Sequence, residues 1–76
     1  MLTIITITEM KSMPGRYCCD HKTGNGRLYS TTHAGSDPAE AAAYAMSITV
    51  NHDTYIIFGP ARVLDCIPAD LRSKRI

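Results

Sequence analysis

The sequence predicts a small α+β domain, ordered β-β-β-α-β-β, with a mostly antiparallel sheet and one helix packed on a face. Three observations carry that expectation. Stretches dense in β-branched and aromatic residues recur on both sides of the chain's middle. One alanine-rich stretch with a capping signature separates them. And 76 residues suffice for a single domain, 1–76, and no more.

"LTIITITEM", Leu2–Met10, is rich in Ile and Thr, which are stiff at χ1 and suit a pleated surface. Its apolar phase shifts at Ile4–Ile5, so the strand is expected to be buried on both faces or to carry a bulge. "MPG", Met13–Gly15, is a turn, because proline presets φ and glycine accepts positive φ. "RYCCDHK", Arg16–Lys22, alternates: Tyr17, Cys19 and His21 share one face, and Cys18, Asp20 and Lys22 the other. "RLYSTTHA", Arg27–Ala34, is a third strand. The Gly24-Asn25-Gly26 run before it marks a hairpin, since short hairpin loops demand positive φ.

The pattern then changes period. Ser36–Val50, "SDPAEAAAYAMSITV", predicts a helix with Asp37 as N-cap, Pro38 at the first helical position and Glu40 completing a capping box. Ala39, Ala42, Ala43, Met46 and Val50 form the expected apolar stripe, and its small side chains let the helix lie close to a sheet. "TYIIFG", Thr54–Gly59, is an apolar strand. Pro60–Pro68 is expected to return as another, after a Gly59-Pro60 turn. Ala69–Ile76 is a polar, basic end with room for one helical turn. No internal repeat, linker or low-complexity tract interrupts the chain.

Eight Lys and Arg stand against seven Asp and Glu, a net charge of +1. That is neither the strongly basic balance of a typical nucleic-acid binder nor the acidic balance of a DNA mimic, whose carboxylates replace phosphates. Three cysteines, two of them adjacent, give no disulfide framework, so a reducing cytoplasm is the expected setting. No signal peptide is expected, because the first residues lack a basic segment before a long apolar run. No stretch approaches the roughly 20 apolar residues of a membrane span.

"RYCCDHKTGNGR", Arg16–Arg27, sets two adjacent cysteines, an aspartate and a histidine before two glycines. A closed zinc site needs about four ligands, and Cys19 and His21 alone share a face. Cys66, His33 or His52 would have to supply the rest, without paired Cys-x-x-Cys spacing, so no metal site and no cofactor is expected. "KTGNGR" lacks phosphate-loop spacing and leads into a strand, so no helix dipole meets an anion. Cys18, His33 and Asp65 are the types a nucleophile system uses, but such a set occurs in most short chains, and a chain this small offers little cleft to exclude water. A hairpin with structural cysteines, and no enzyme, is the expectation.

Lys22 and Arg27 flank that hairpin, and Arg72, Lys74 and Arg75 crowd the C-terminus. These cations suit phosphate contacts. Against that stands an ordinary solvated surface, which the near-neutral balance favours. Four Tyr, one Phe and no Trp leave little for base stacking.

Two segments, "AGSDPAEAAAYAM" at Ala34–Met46 and "YIIFGPARVLDCIPADLR" at Tyr55–Arg72, resemble a small phage-encoded anti-CRISPR family of the type I-F class, the fifth in that class's naming series. The likeness extends to the first strand, "TIITITE", and to "GRY" at the start of the second. It covers most of the chain, is strongest from Ala34 onward and weakest at "CCDHKTGN". It implies a non-enzymatic inhibitor that binds a type I CRISPR–Cas surveillance complex in the host cytoplasm. Such inhibitors block either target-DNA recognition or recruitment of the helicase–nuclease. The resemblance favours recruitment block after DNA has been bound, and the charge balance independently makes DNA mimicry less natural. Arg62 and Arg72 are candidate anchors, since arginine is enriched at binding hot spots. A small nucleic-acid-binding accessory protein of a phage or mobile element, using Lys22, Arg27, Arg72, Lys74 and Arg75, is the alternative. A structural phage or host protein with no CRISPR role is a third.

Overall fold

The computed structural model describes residues 2–25 and 27–74. The chain forms β1 (Thr3–Glu9), β2 (Tyr17–Thr23), β3 (Leu28–Gly35), helix α1 (Pro38–Thr49), β4 (Tyr55–Phe58), a short helix α2 (Ala61–Leu64), a 3-10 turn (Ala69–Leu71) and β5 (Ser73–Lys74). The five strands make one sheet in the order β3-β2-β1-β4-β5. Three pairings are antiparallel and one, β1 with β4, is parallel. The expected class holds: a single small α+β domain with a mostly antiparallel sheet and one main helix.

Both β-hairpins follow from turn chemistry. Gly15 sits at φ 89°, where a side chain would be strained, and its amide donates to the Glu9 carboxylate at 2.9 Å. In the second hairpin the Thr23 amide donates to the Arg27 carbonyl at 2.8 Å, and the Arg27 amide donates to Asn25 Oδ1 at 3.2 Å. Gly26, part of the run that announced this turn, lies outside the described residues.

α1 starts as the capping pattern requires. Asp37 Oδ1 accepts the Glu40 amide at 2.8 Å, and Glu40 reaches back to accept the Ser36 amide at 3.0 Å. A Cβ on Gly35 would stand 2.6 Å from Glu40 Cβ, so only glycine lets β3 run straight into this cap. The buried side of α1 is Ala41, Ala42 and Ala45, not the expected stripe. Ala42 was placed correctly. Ala39, Ala43 and Val50 are exposed, and Met46 is half-buried. Alanine at 39, 41, 42, 43 and 45 covers more than half of the helix's circumference, so apolar spacing alone leaves the helix phase open. Tertiary contact sets it: the Tyr44 hydroxyl and Thr32 Oγ1 share a hydrogen bond at 2.6 Å, which fixes the helix against β3.

The segment Pro60–Pro68 is not the expected strand. It turns as α2 after Pro60 and continues in hydrogen-bonded turns to Ile67. Val63 and Ile67, four apart, are both fully buried, a helical and not a two-residue spacing. The return strand comes later, as β5, after the one helical turn expected near Ala69.

The core lies between the sheet and the two helices. Ile5 and Ile7 of β1, Tyr17 and Cys19 of β2, and Tyr55 and Ile57 of β4 meet the α1 alanines, Val63 and Ile67. β1 carries no bulge, and its pairing with β2 runs unbroken from Thr3 to Glu9. Its second apolar phase, Ile4, is half-buried on the other face of the sheet. Among the described residues no helix is long and apolar enough to cross a membrane.

Candidate functional site

The sheet has one covered face and one open face. Register places Leu28, Lys22, Ile4, Ile56 and Ser73 side by side across all five strands on the open face. The next row holds Thr31, Asp20, Thr6 and Phe58. Thr31 donates to Asp20 Oδ1 at 2.9 Å within that row. Leu28 and Phe58 are about half exposed, at 51% and 49%. This face therefore mixes four apolar residues, Leu28, Ile4, Ile56 and Phe58, with hydroxyls, one lysine and one aspartate, a mixed composition open to a protein contact.

Lys22 extends from this face. It stands at the end of the sheet where Arg27 occupies the β2–β3 turn and where Lys74 pairs with Tyr55 at the start of β4. So Lys22, Arg27 and Lys74 lie toward the same end of the sheet, but only Lys22 and Arg27 are close, through one hairpin; Lys74 stands three strands from Lys22, in the row of Thr3 and Tyr55 that belongs to the helix face. Arg75 lies outside the described residues.

Arg62 and Arg72 stand apart from that group and are engaged within the chain. Arg62 Nη2 lies 3.1 Å from Glu9 Oε1, joining α2 to the end of β1. Arg72 Nε donates to the Ile67 carbonyl at 3.0 Å, and its Nη2 is 4.0 Å from Asp65. Arg72 thereby fastens the 3-10 turn to the segment before it, and the Arg72 carbonyl accepts the Ile57 amide at 2.9 Å. Its first role is architectural.

The thiols are apart. Cys19 is buried, and burial, followed by the nearby Asp20 and Cys18, pushes its pKa up to about 11, so it is held as a neutral thiol. Cys66 is exposed and Cys18 half-buried. Cys18 and His33 are cross-strand neighbours on the open face, but Asp65 belongs to the α2 side, so these three do not converge. Among the described residues no three His, Cys, Asp or Glu side chains gather as a metal site. An open depression of about 470 Å³ lies beside the β1–β2 turn, between Thr8, Glu9, Met10, Lys11, Ser12 and Cys18.

Sequence reasoning missed a pair of imidazoles beneath the helix side. His21 and His52 pack edge to face with ring centroids 5.1 Å apart, and Thr3 Oγ1 and His52 Nδ1 are hydrogen-bonded at 3.1 Å. Burial, and then the neighbouring His52, hold the His21 pKa below the usual histidine value. The pairing joins β2 to the α1–β4 loop, far apart in the chain, and left no local signal. Phe58 was missed as well: the apolar run "YIIF" reads as a strand without an outward side, and the structure puts Phe58 in the phase of Ile56, opposite to the core residues Tyr55 and Ile57. No protein-family model matches this chain, and a search of the curated proteins finds no match either.

Proposed function

We propose that this chain is a non-enzymatic inhibitor of a type I CRISPR–Cas surveillance complex, of subtype I-F. It binds the assembled complex, leaves the target DNA in place and prevents recruitment of the helicase–nuclease. The observation that carries this reading is the resemblance at Ala34–Met46 and Tyr55–Arg72. In the fold those segments form α1 with its cap and the β4–α2–3-10 unit, which pack together through the core. The open face, with Ile4, Ile56 and Phe58 beside Lys22, offers a surface suited to a protein partner. The seven acids are dispersed over loops, α1 and the sheet, which supports a protein contact over phosphate mimicry. A plating assay decides: phage should form plaques on hosts with an active type I-F system when the gene is expressed, and remain restricted without it. Continued restriction in its presence would refute the reading.

Lys22 and Arg27, set close together by the β2–β3 hairpin, favour one second reading, a nucleic-acid-binding accessory protein. Its mark would be a salt-dependent shift of free duplex or single strand by the chain alone.

A further inference from the structure

We infer that this chain self-associates through the outer edge of β3, forming a two-fold dimer with one continuous sheet. The two edges of the sheet differ in kind. β5 is two residues long and ends in Lys74, so shortness and charge both protect it from pairing. β3 runs eight residues, Leu28–Gly35, without Lys, Arg, Asp, Glu or Pro. A strand at an edge turns alternate backbone amides and carbonyls away from its neighbour, and these form a ready template for another strand.

Register limits that template. Tyr17 pairs Gly35 while Cys18 pairs His33, so Ala34 is an extra residue on β3. His21 pairs Ser30 while Lys22 pairs Leu28, so Tyr29 is another. Between these two bulges, Ser30–His33 runs in unbroken register along β2. The bulges bend the strand on either side and leave four residues regular. Within them Thr31 lies on the open face, bonded to Asp20, and Thr32 on the helix face, bonded to Tyr44.

A second copy suits this edge better than a strand of foreign sequence, on two grounds. The first is register. A two-fold axis normal to the sheet keeps helix face beside helix face, and centred on Thr31 it sets Thr31 opposite its own copy and Ser30 opposite Thr32. Ser30, Thr31 and Thr32 then meet hydroxyl against hydroxyl, a favourable cross-strand combination with no like charges opposed, and His33 falls opposite residue 29 of the other copy. The second is the flank of α1 above this edge. Tyr44 faces β3, and by helical spacing Glu40, Ser47 and Ala43 lie next outward, all exposed. β3 and α1 together hold one charged residue, Glu40, in a chain that carries fifteen. Depletion of charge marks the centre of a protein interface. Related by the axis, the two helices run antiparallel, so each Glu40 lies toward the C-terminal half of the other helix, away from its own copy, and the small Ala43 and Ser47 permit close approach. This inference stands independently of the functional reading.

The patch is small, so the association is weak and depends on concentration. Sedimentation equilibrium under reducing conditions should show a reversible monomer–dimer equilibrium. Thr31→Lys sets two ammonium groups opposite each other across the axis while giving Asp20 an in-chain partner, and it should raise the dissociation constant at least about tenfold. Should that variant fold poorly, Thr31→Cys in a Cys66→Ser background is the second test: mild oxidation should link copy to copy through residue 31. A chain that stays monomeric up to ~1 mM, where even a 4 kcal/mol association would register, overturns the proposal. So does a folded Thr31→Lys variant that dimerises as tightly as the parent, or a Thr31→Cys variant that fails to cross-link.

Discussion

Arg62 Nη2 stands 3.1 Å from Glu9 Oε1, and the other oxygen of that carboxylate accepts the Gly15 amide at 2.9 Å. One side chain thus ties α2, the end of β1 and the β1–β2 turn together. Arg62 is largely exposed, so its ion pair contributes little to stability. Arg62→Ala should cost within ~1 kcal/mol of folding free energy. If Arg62 anchors the proposed partner, the same change should cost more than ~2 kcal/mol of binding. Denaturation and titration of the surveillance complex with the variant separate the two roles, and equal, small losses in both would remove Arg62 as an anchor.

Helix packing gives a sharper contrast among near neighbours. Ala42 and Ala45 are buried against the sheet while Ala43 faces out. Ala42→Leu and Ala45→Leu should each destabilise by ~1–3 kcal/mol through overpacking, and Ala43→Leu should be close to neutral. Urea midpoints of the three variants check the order. A reversal would put the helix in the phase that the stripe Ala39–Ala43–Val50 suggested.

The Tyr17 hydroxyl is fully buried, and among the described residues it has no hydrogen-bond partner. Tyr17→Phe removes the oxygen and keeps the ring. The variant should be as stable as the parent or more so, by up to ~1 kcal/mol, because an unsatisfied buried polar group carries an uncompensated desolvation cost. A clear loss of stability would mean that the hydroxyl is satisfied in solution.

The imidazole pair makes stability depend on pH in a definite direction. His21 has its pKa lowered in the fold, so the unfolded chain binds its proton more readily. The associated stability is present above the ordinary histidine value of 6.5 and is lost as pH falls through it toward the folded pKa. Thermal midpoints should therefore fall between pH 7.5 and pH 5. His52→Gln, which removes the neighbouring positive charge, should flatten that fall. An identical pH profile in that variant would leave burial as the working cause, and an unchanged profile in His21→Gln would assign the dependence elsewhere.

What was legible in the chain is what neighbouring residues decide. Gly15, the Gly24-Asn25 turn and the Asp37–Glu40 cap each act over a few residues, and each stands where the sequence put it. The alternation of β2 separated Tyr17 and Cys19 of the core from Cys18, Asp20 and Lys22 of the open face, while the unbroken apolar run of β4 left Phe58 unassigned. The α2 segment misled because Val63, Leu64 and Ile67 form a short apolar run that suits strand or helix alike. The phase of α1 misled because alanine covers more than half of the helix, and contacts with other elements, Thr32 among them, decide which side is buried. Of the candidate contact residues, Lys22 and Arg27 are neighbours through one hairpin. Lys74 is set apart from them by the β4–β5 pairing, which no local pattern announces, and the same is true of the parallel β1–β4 pairing that seats β4 beside the central strand.

Recruitment of the helicase–nuclease to a surveillance complex already holding labelled target DNA, followed by gel shift with and without this chain, tests the central claim most directly. The labelled DNA should stay with the complex, the chain should migrate with it, and the further shift given by the helicase–nuclease should disappear. Release of the DNA would contradict the recruitment mechanism and leave inhibition by binding. Failure of the chain to join any type I complex would contradict the claim itself.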